Sequence, residues 1–524
     1  MRWTRRELFV GTAGALVAPG LRGIAQAARP HDALIYNTDP DGIQAPAAGT
    51  PKGFLAARFD PVLNTEVGMI AQCTGTTTIF TNPVPVGENF GQYRYGHAFD
   101  SVRAAACAAD AICMARFDNI NALRRRGTDV LALGLAFCRR HGLRHAFSHR
   151  VNDVHDAFEP WALSLWKRTH PQYMLARPGE SGDPNSTRYW WSALDFEQAP
   201  VRDYLYRILA AICGRYDLDS LELDYFRSPL MFRPNLDGRP ATLSQTDLLT
   251  AWQQRLRVLT HRIGAHRGRP LPLAARVPAT VATSRHVGID VERWLAEGLV
   301  DELRLGGGYM PFTEPIAPLA GLAHRHGVRV QGAISASGMP PPYDSVEAWR
   351  GAAANAWHAG VDGIYTFNLF PTGPDPRLEQ IGSPGSLAGR DKVFAIEPQP
   401  ILLGFARQAI VQSGILPAAV PCRRRLPVGD DIAGAARGGR LRDAVLRVQV
   451  SDPALVGTVA VEVNRHRLAA RLLDTQGGWM TFTPPPDLWR QGDNALRLGR
   501  SGGPQPDLPP TQVTAVELAV RYRR

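Results

Sequence analysis

The chain has 524 residues, a formal charge of +11, 44% hydrophobic and 8% aromatic residues. That length carries at least one large core and two or three domains. Only Lys52, Lys167 and Lys392 are lysines, and the arginines are scattered apart from Arg124–Arg126 and Arg423–Arg425. This is dispersed composition rather than a phosphate-binding stripe, so nucleic acid is not an expected partner.

The N-terminus reads Thr4-Arg5-Arg6-Glu7-Leu8-Phe9-Val10, followed by a weakly apolar run from Gly11 to Val17 and then Ala25-Gln26-Ala27. This is the form of a twin-arginine export signal with a small-residue cleavage site. The run is short and broken by Pro19 and Gly20, which argues against an anchoring helix. Residues 1–27 are therefore expected to be removed, giving a periplasmic or secreted protein of charge +8 without stable membrane insertion. Six cysteines lack metal-type spacing. Cys73, Cys107 and Cys113 are close enough in sequence to pair locally, and buried free thiols fit equally well.

Strand-like and helix-like segments then alternate. Strands are predicted at Ala33–Asn37, which runs into Thr38-Asp39-Pro40-Asp41-Gly42, and at Val67–Gln72. A helix near Asn119–His141 precedes the strand Arg144–Arg150. The connection Val151–Phe196 leads to the helix Val201–Tyr216 and an acidic strand at 218–226. Strands at Leu271–Val277, Glu302–Leu305, Val328–Ile334 and Asp362–Phe367 follow. Helices near Thr242–Ala265, Val291–Glu297, Ile316–His326 and Ser345–Ala359 separate them. Eight strands with intervening helices specify an α/β fold, a (β/α)8 TIM barrel, over residues 28–389. After Gly389 periodic helices give way to β-rich runs at Leu441–Val450, Gly457–Val463, Trp479–Phe482, Asn494–Leu498 and Val513–Tyr522. Residues 390–524 are predicted to form an accessory β-sandwich.

The acidic strand Leu218-Asp219-Ser220-Leu221-Glu222-Leu223-Asp224-Tyr225-Phe226 carries the strongest chemical signal. Leu221 and Leu223 share one face, Glu222 and Asp224 the other. In a barrel the leucines meet the helices and the acids face the axis, near the C-terminal mouth where barrel enzymes keep their chemistry. Strand three ends in His149-Arg150-Val151-Asn152-Asp153-Val154-His155-Asp156, a polar density unlike strand core. Tyr189-Trp190-Trp191, with Trp161, Trp166 and Tyr173, places aromatics in the following loop. These suit either sugar stacking or a satellite core.

Arg150–Asp156, His170-Pro171, Leu194-Asp195-Phe196, Val201-Arg202-Asp203-Tyr204 and Asp219–Phe226 together resemble bacterial glycoside-hydrolase-like barrel proteins of the glycosyl hydrolase-like family 10 type. The resemblance spans most of residues 30–385 and implies a sugar-processing barrel. Asp219, Glu222, Asp224 and Phe226 also fall on the D-x-x-D-x-D-x-E pattern of chitinase-type barrels, with Phe226 where those enzymes hold their acid. The seventh strand, Val328 to Ser335, has no carboxylate, so a two-glutamate arrangement is not transferred.

Glycosidic hydrolysis uses one carboxylic acid and a second carboxylate. The expected catalytic residues are Glu222, Asp224 and Asp153, with Arg150 beside Asp153 keeping it ionised. Arg150, Asn152, His155, Trp190, Trp191, Arg276, Tyr309 and Asn368 are expected to hold a carbohydrate substrate. Ion pairing with Glu222 or Asp224 explains Arg276 equally well. No cofactor or metal is expected. The alternatives are a non-catalytic carbohydrate-binding barrel and a metal-dependent hydrolase built on His149, Asp153, His155 and Asp156.

Overall fold

The computed structural model describes residues 33–90, 107–178, 180, 190–307, 313–335, 343–396, 416, 418–501 and 511–523. The expected export signal, Tyr189 and Tyr309 lie outside the described residues. Eight strands form a closed, all-parallel barrel. They are β1 (Leu34–Thr38), β2 (Val67–Gln72), β3 (Arg144–Arg150), β4 (Ser220–Asp224), β5 (Leu273–Val277), β6 (Glu302–Leu305), β7 (Arg329–Ile334) and β8 (Gly363–Thr366). Closure is made by β1 pairing with both β8 and β2.

The strands are buried on both sides, as a parallel barrel requires. On β4, Leu221 and Leu223 pack outward into the main core, while Ser220, Glu222 and Asp224 point to the axis. A smaller inner cluster of Ile35, Met69, Ala71, Ala146, Tyr365 and Phe367 fills the barrel. Several helices begin on side-chain caps: Asp129 accepts from the amides of Leu131 and Ala132, and Thr242 forms a capping box with Gln245. The single helix expected at Asn119–His141 is two helices, Ala111–Arg125 and Val130–His141. Gly127 takes φ 72° between them, and Asp129 restarts the chain as a cap. A strong local breaker and cap thus override a continuous apolar pattern. Among the described residues, no helix is long and apolar enough to cross a membrane.

The C-terminal residues form two antiparallel sheets whose strands alternate buried and accessible positions. The larger runs Lys392–Ile396, Gln512–Tyr522, Leu441–Val450, Trp479–Phe482, Leu472–Asp474, with Ala418–Ala419 also pairing to Gln512–Tyr522. The smaller runs Cys422–Val428, Gly492–Arg500, Val459–Val463, His466–Leu468. Strand Lys392–Ile396 packs directly on the barrel helix Val346–His358. A Cβ at Gly351 would collide with the carbonyl of Val393, and one at Gly429 with the backbone of Ala354. Tyr343 adds a hydroxyl bond of 2.7 Å to the Ile396 carbonyl. Cys107 and Cys113 form a disulfide, while Cys73, Cys138 and Cys213 are buried thiols.

Candidate active site at the barrel mouth

Glu222 lies inside the barrel with 0% exposure. Its Oε1 accepts from Ser148 Oγ on β3 at 2.6 Å and from Tyr365 Oη at 2.8 Å. Tyr365 belongs to β8, the strand opposite β4, so this bond crosses the barrel axis. Oε2 lies 2.8 Å from Arg304 Nε, a charge contact without hydrogen-bond alignment. Arg304, also fully buried, holds Glu302 Oε2 at 2.9 Å and reaches Met69 Sδ on the far wall. Burial pushes the Glu222 carboxyl above its ordinary range, against the opposing pull of Arg304 and the Ser148 hydrogen bond. These side chains make a polar layer that fills the barrel.

Asp224, two residues on, meets Arg276 in a bidentate pair: Nε to Oδ1 at 2.9 Å and Nη2 to Oδ2 at 3.0 Å. Oδ1 also accepts the amides of Phe226 at 3.0 Å and Arg227 at 2.9 Å. Arg276 has 0% exposure, donates Nη1 to the Gly306 carbonyl and lies 4.0 Å from the Phe367 ring centroid. Of the two accounts of Arg276, ion pairing is the one its geometry shows.

Around the ends of β1, β3 and β4 a second cluster lies closer to solvent. Arg150, pointing inward from the last position of β3, sets Nη1 3.2 Å from Asp153 Oδ2 and Nη2 3.4 Å from Asp39 Oδ2. His155 Nδ1 faces both Asp153 carboxylate oxygens, at 2.8 and 2.9 Å, and Nε2 faces Arg227 Nη2 at 2.9 Å. A guanidinium only donates, so Nε2 accepts, and Nδ1–H must point at Asp153. Both contacts select the same tautomer.

The carboxyls of this cluster diverge in proton affinity. Burial works to raise Asp153, yet the His155 ring set against it, with its Nδ1–H hydrogen bond, and then the Arg150 and Arg227 guanidiniums hold it well below the usual range. Burial and the neighbouring Asp41 raise Asp39, overcoming Arg150. Burial likewise raises Glu159, which is only half covered, against His155 and Arg116. Arg116 pairs with Asp41 and donates to Gln44 Oε1 at 3.1 Å.

The remaining expected residues divide. Asn152 is fully buried and clamps two loops: Nδ2 donates to the carbonyls of Leu194 and Leu230, and Oδ1 accepts the Leu194 amide. It is a loop clamp rather than a mouth group. Trp191 is buried and Trp190 packs half-buried against the core. Trp166 stacks on Tyr204 at 4.2 Å and on Tyr173 at 5.5 Å. The aromatics of the long loop thus form the satellite core. Asn368 follows β8 at φ 51°, half-buried. Tyr309 lies outside the described residues.

The four groups considered for a metal do not converge. His149 turns outward against Phe80 and Phe147, with ring centroids 6.0 and 6.3 Å away. Asp156 is spent on the buried Lys167, 2.6 Å away. Among the described residues no group of three or more His, Cys, Asp or Glu side chains could hold a metal ion.

Asp39, Glu159, Arg227, Arg304 and Tyr365 were not expected from sequence. Asp39 had a readable signal, since Thr38-Asp39-Pro40-Asp41 places acids immediately after the first barrel strand. Arg304 and Tyr365 act across the barrel, where no local pattern reaches.

No protein-family description matches the sequence, and no curated protein does. Among solved structures, the endo-β-1,4-mannanase of Thermotoga petrophila aligns at 10% identity with a TM-score of 0.40, over 93% of this chain and 98% of its own. The glycoside hydrolase domain of PgaB (BpsB) from Bordetella bronchiseptica aligns at 11% identity and TM-score 0.40, over 68% of this chain and 97% of its own. A family GH18 chitinase from Chromobacterium violaceum aligns at 12% identity and TM-score 0.36, over 94% and 89%. The chain is similar to these enzymes in outline only.

Proposed function

We propose that this protein is an exported glycoside hydrolase whose acid–base chemistry is carried at the mouth, above the ionic layer of the barrel. The observation that carries the reading is the Arg150 guanidinium set between two carboxyls of opposite character, Asp39 raised and Asp153 depressed. Environments that push carboxyls apart in this way separate an acid from an ionised partner. In this scheme a neutral carboxyl, Asp39 or the more accessible Glu159, gives its proton to the departing glycosidic oxygen. Water adds its hydroxyl to the anomeric carbon and loses its proton to His155 Nε2, once Arg227 has released that nitrogen. Asp153 acts through His155 as a positioning residue, fixing the tautomer and balancing the imidazolium that forms. Glu222 and Asp224 hold the ionic layer beneath. The Cys107–Cys113 disulfide supports an oxidising, extracytoplasmic location.

The test is turnover on a glycan panel by the mature chain and four variants. Asp39→Asn, Glu159→Gln and His155→Gln address the mouth, and Glu222→Gln addresses the layer. His155→Gln and at least one mouth carboxyl variant should lose about 100-fold or more in kcat, the usual yield of a general acid or base. Their melting temperatures should stay unchanged. Full turnover in all three mouth variants, with loss in Glu222→Gln at unchanged stability, would return the acid role to Glu222.

A second reading is favoured by one observation: every oxygen of Glu222 and Asp224 is hydrogen-bonded or, for Glu222 Oε2, held in a charge contact with a protein group. A carbohydrate-binding barrel without catalysis would show glycan binding and no turnover on the same panel.

A further inference from the structure

Charge is unevenly divided along the chain. Residues 390–524 contain 19 Lys and Arg against 12 Asp and Glu, so they hold +7 of the total +11. Residues 28–389 contain 36 against 35 and are close to neutral. The arginines of the C-terminal part are far apart in sequence, yet strand register gathers several of them. Arg423 pairs with Arg497, Arg497 with Glu462, and Glu462 with Arg467, so the four side chains share one face across all four strands of the smaller sheet. Alternate positions on these strands, Leu426, Leu496, Leu498, Val461 and Val463, are buried in the sandwich, which turns the arginine face outward. Arg423, Arg467 and Arg497 are exposed; Glu462 is the single acid of the row and lies 3.6 Å from Arg497. The row keeps two positive charges after that pairing.

The same strands run toward the barrel. Pro427, Gly492, Asp493 and the basic Arg425 line a cleft of about 500 Å³ whose opposite wall includes Gly306, Gly307, Glu314, Ala333 and Ile334. Gly306 and Gly307 directly follow β6, at the mouth end of the barrel. Arg423 is four residue steps from Pro427, about 13 Å along a strand. A chain-like ligand can therefore lie on the arginine row and continue through the cleft to the mouth. Arg423 and Arg497 are one strand apart, about 4.8 Å, and Arg467 is two strands beyond. These steps are comparable to one and two sugar units.

We propose that the smaller C-terminal sheet binds an acidic polysaccharide, a chain of uronate-type sugars, and feeds it along the interdomain cleft toward the barrel. This deepens the carbohydrate reading above and rests on it for the fate of the chain. Among the described residues of the row there is no aromatic group to stack on bases and no large apolar group to enter a lipid surface. That favours a hydrophilic polyanion over single-stranded nucleic acid or a membrane.

The experiment uses the mature full-length chain and the triple variant Arg423→Gln, Arg467→Gln, Arg497→Gln, all at exposed positions outside the mouth. Polygalacturonate binding is measured by titration at low and high salt, with dextran as the neutral comparison, and glycan-panel turnover is followed in parallel. The wild type should bind polygalacturonate and not dextran, and salt should weaken that binding. The triple variant should bind about tenfold more weakly, the order expected for a few exposed ion pairs, while keeping its turnover on short neutral glycans. Equal polygalacturonate affinity in the two proteins would overturn the proposal, as would dextran binding as tight as polygalacturonate, or tighter binding to anionic vesicles or DNA. Salt-sensitive binding with no turnover on any glycan would uphold this surface while removing the hydrolase reading, so the two stand or fall separately.

Discussion

Acid should destabilise this fold through His149. The ring has 1% exposure, neither nitrogen has a hydrogen-bond partner, and it packs against Phe80 and Phe147 on the outer side of β3. Burial pushes its pKa down to about 4 from the ordinary 6.5, despite the fields of Asp224 and Asp153. A folded-state value below the unfolded one means that the unfolded chain binds the extra proton. The contribution of a neutral His149 is therefore complete above pH 6.5 and lost as pH falls toward 4. Linkage puts the loss at about 2 kcal/mol by pH 5 and about 3 kcal/mol by pH 4. His145, pushed down to about 3 and held 2.8 Å from Gln72 Oε1, adds a loss of the same sign. The assay is urea unfolding of the mature wild type and His149→Phe at pH 7, 5 and 4. Any packing cost of the substitution shifts all three measurements alike. The variant's stability relative to wild type should then rise by about 2 kcal/mol between pH 7 and pH 5. Parallel pH profiles would show that His149 is not the group whose protonation is coupled to unfolding.

Arg276→Met removes one partner of a fully buried bidentate pair and strands Asp224. It should cost about 3–5 kcal/mol in urea unfolding, and adding Asp224→Asn should restore part of that. A single variant within 1 kcal/mol of wild type would contradict the buried-pair description. Replacing Arg5 and Arg6 together with lysine should leave the precursor in the cytoplasm on fractionation, whereas normal export would show the signal to be misread.

The barrel was legible because its evidence is local and repeated. The eight apolar segments are separated by helices, several with recognisable caps, and the alternation of Leu221, Glu222, Leu223 and Asp224 is read directly as inside and outside. The charge-rich end of β3 was legible for the same reason. What could not be read was pairing across the barrel. Glu222 as a sequence position offers a free carboxylate; only closure of the sheet brings Tyr365 and Arg304 onto it. The tryptophans of the long loop are ambiguous in sequence for another reason, since stacking on sugar and stacking on Tyr204 demand the same side chains. In the C-terminal part, Lys392–Ile396 and Cys422–Val428 were missed because they carry lysine, proline and three successive arginines. Partners on neighbouring strands stabilise them more than their own composition does.

The two glycines at the seam, Gly351 on the barrel helix and Gly429 beside the sandwich, have a bearing on how this protein can be altered. Backbone meets backbone there with no side chain between, so the two parts fit like a key cut for one lock. Adding even a methyl group on either side would wedge them apart, a penalty that no rearrangement of flexible side chains could absorb. Cutting the chain after Gly389 would leave the small-residue face of helix Val346–His358, shaped to receive strand Lys392–Ile396, open to water. The sandwich therefore is not freely exchangeable for another accessory module: a replacement would have to reproduce a strand that lies against Gly351 at the same close approach.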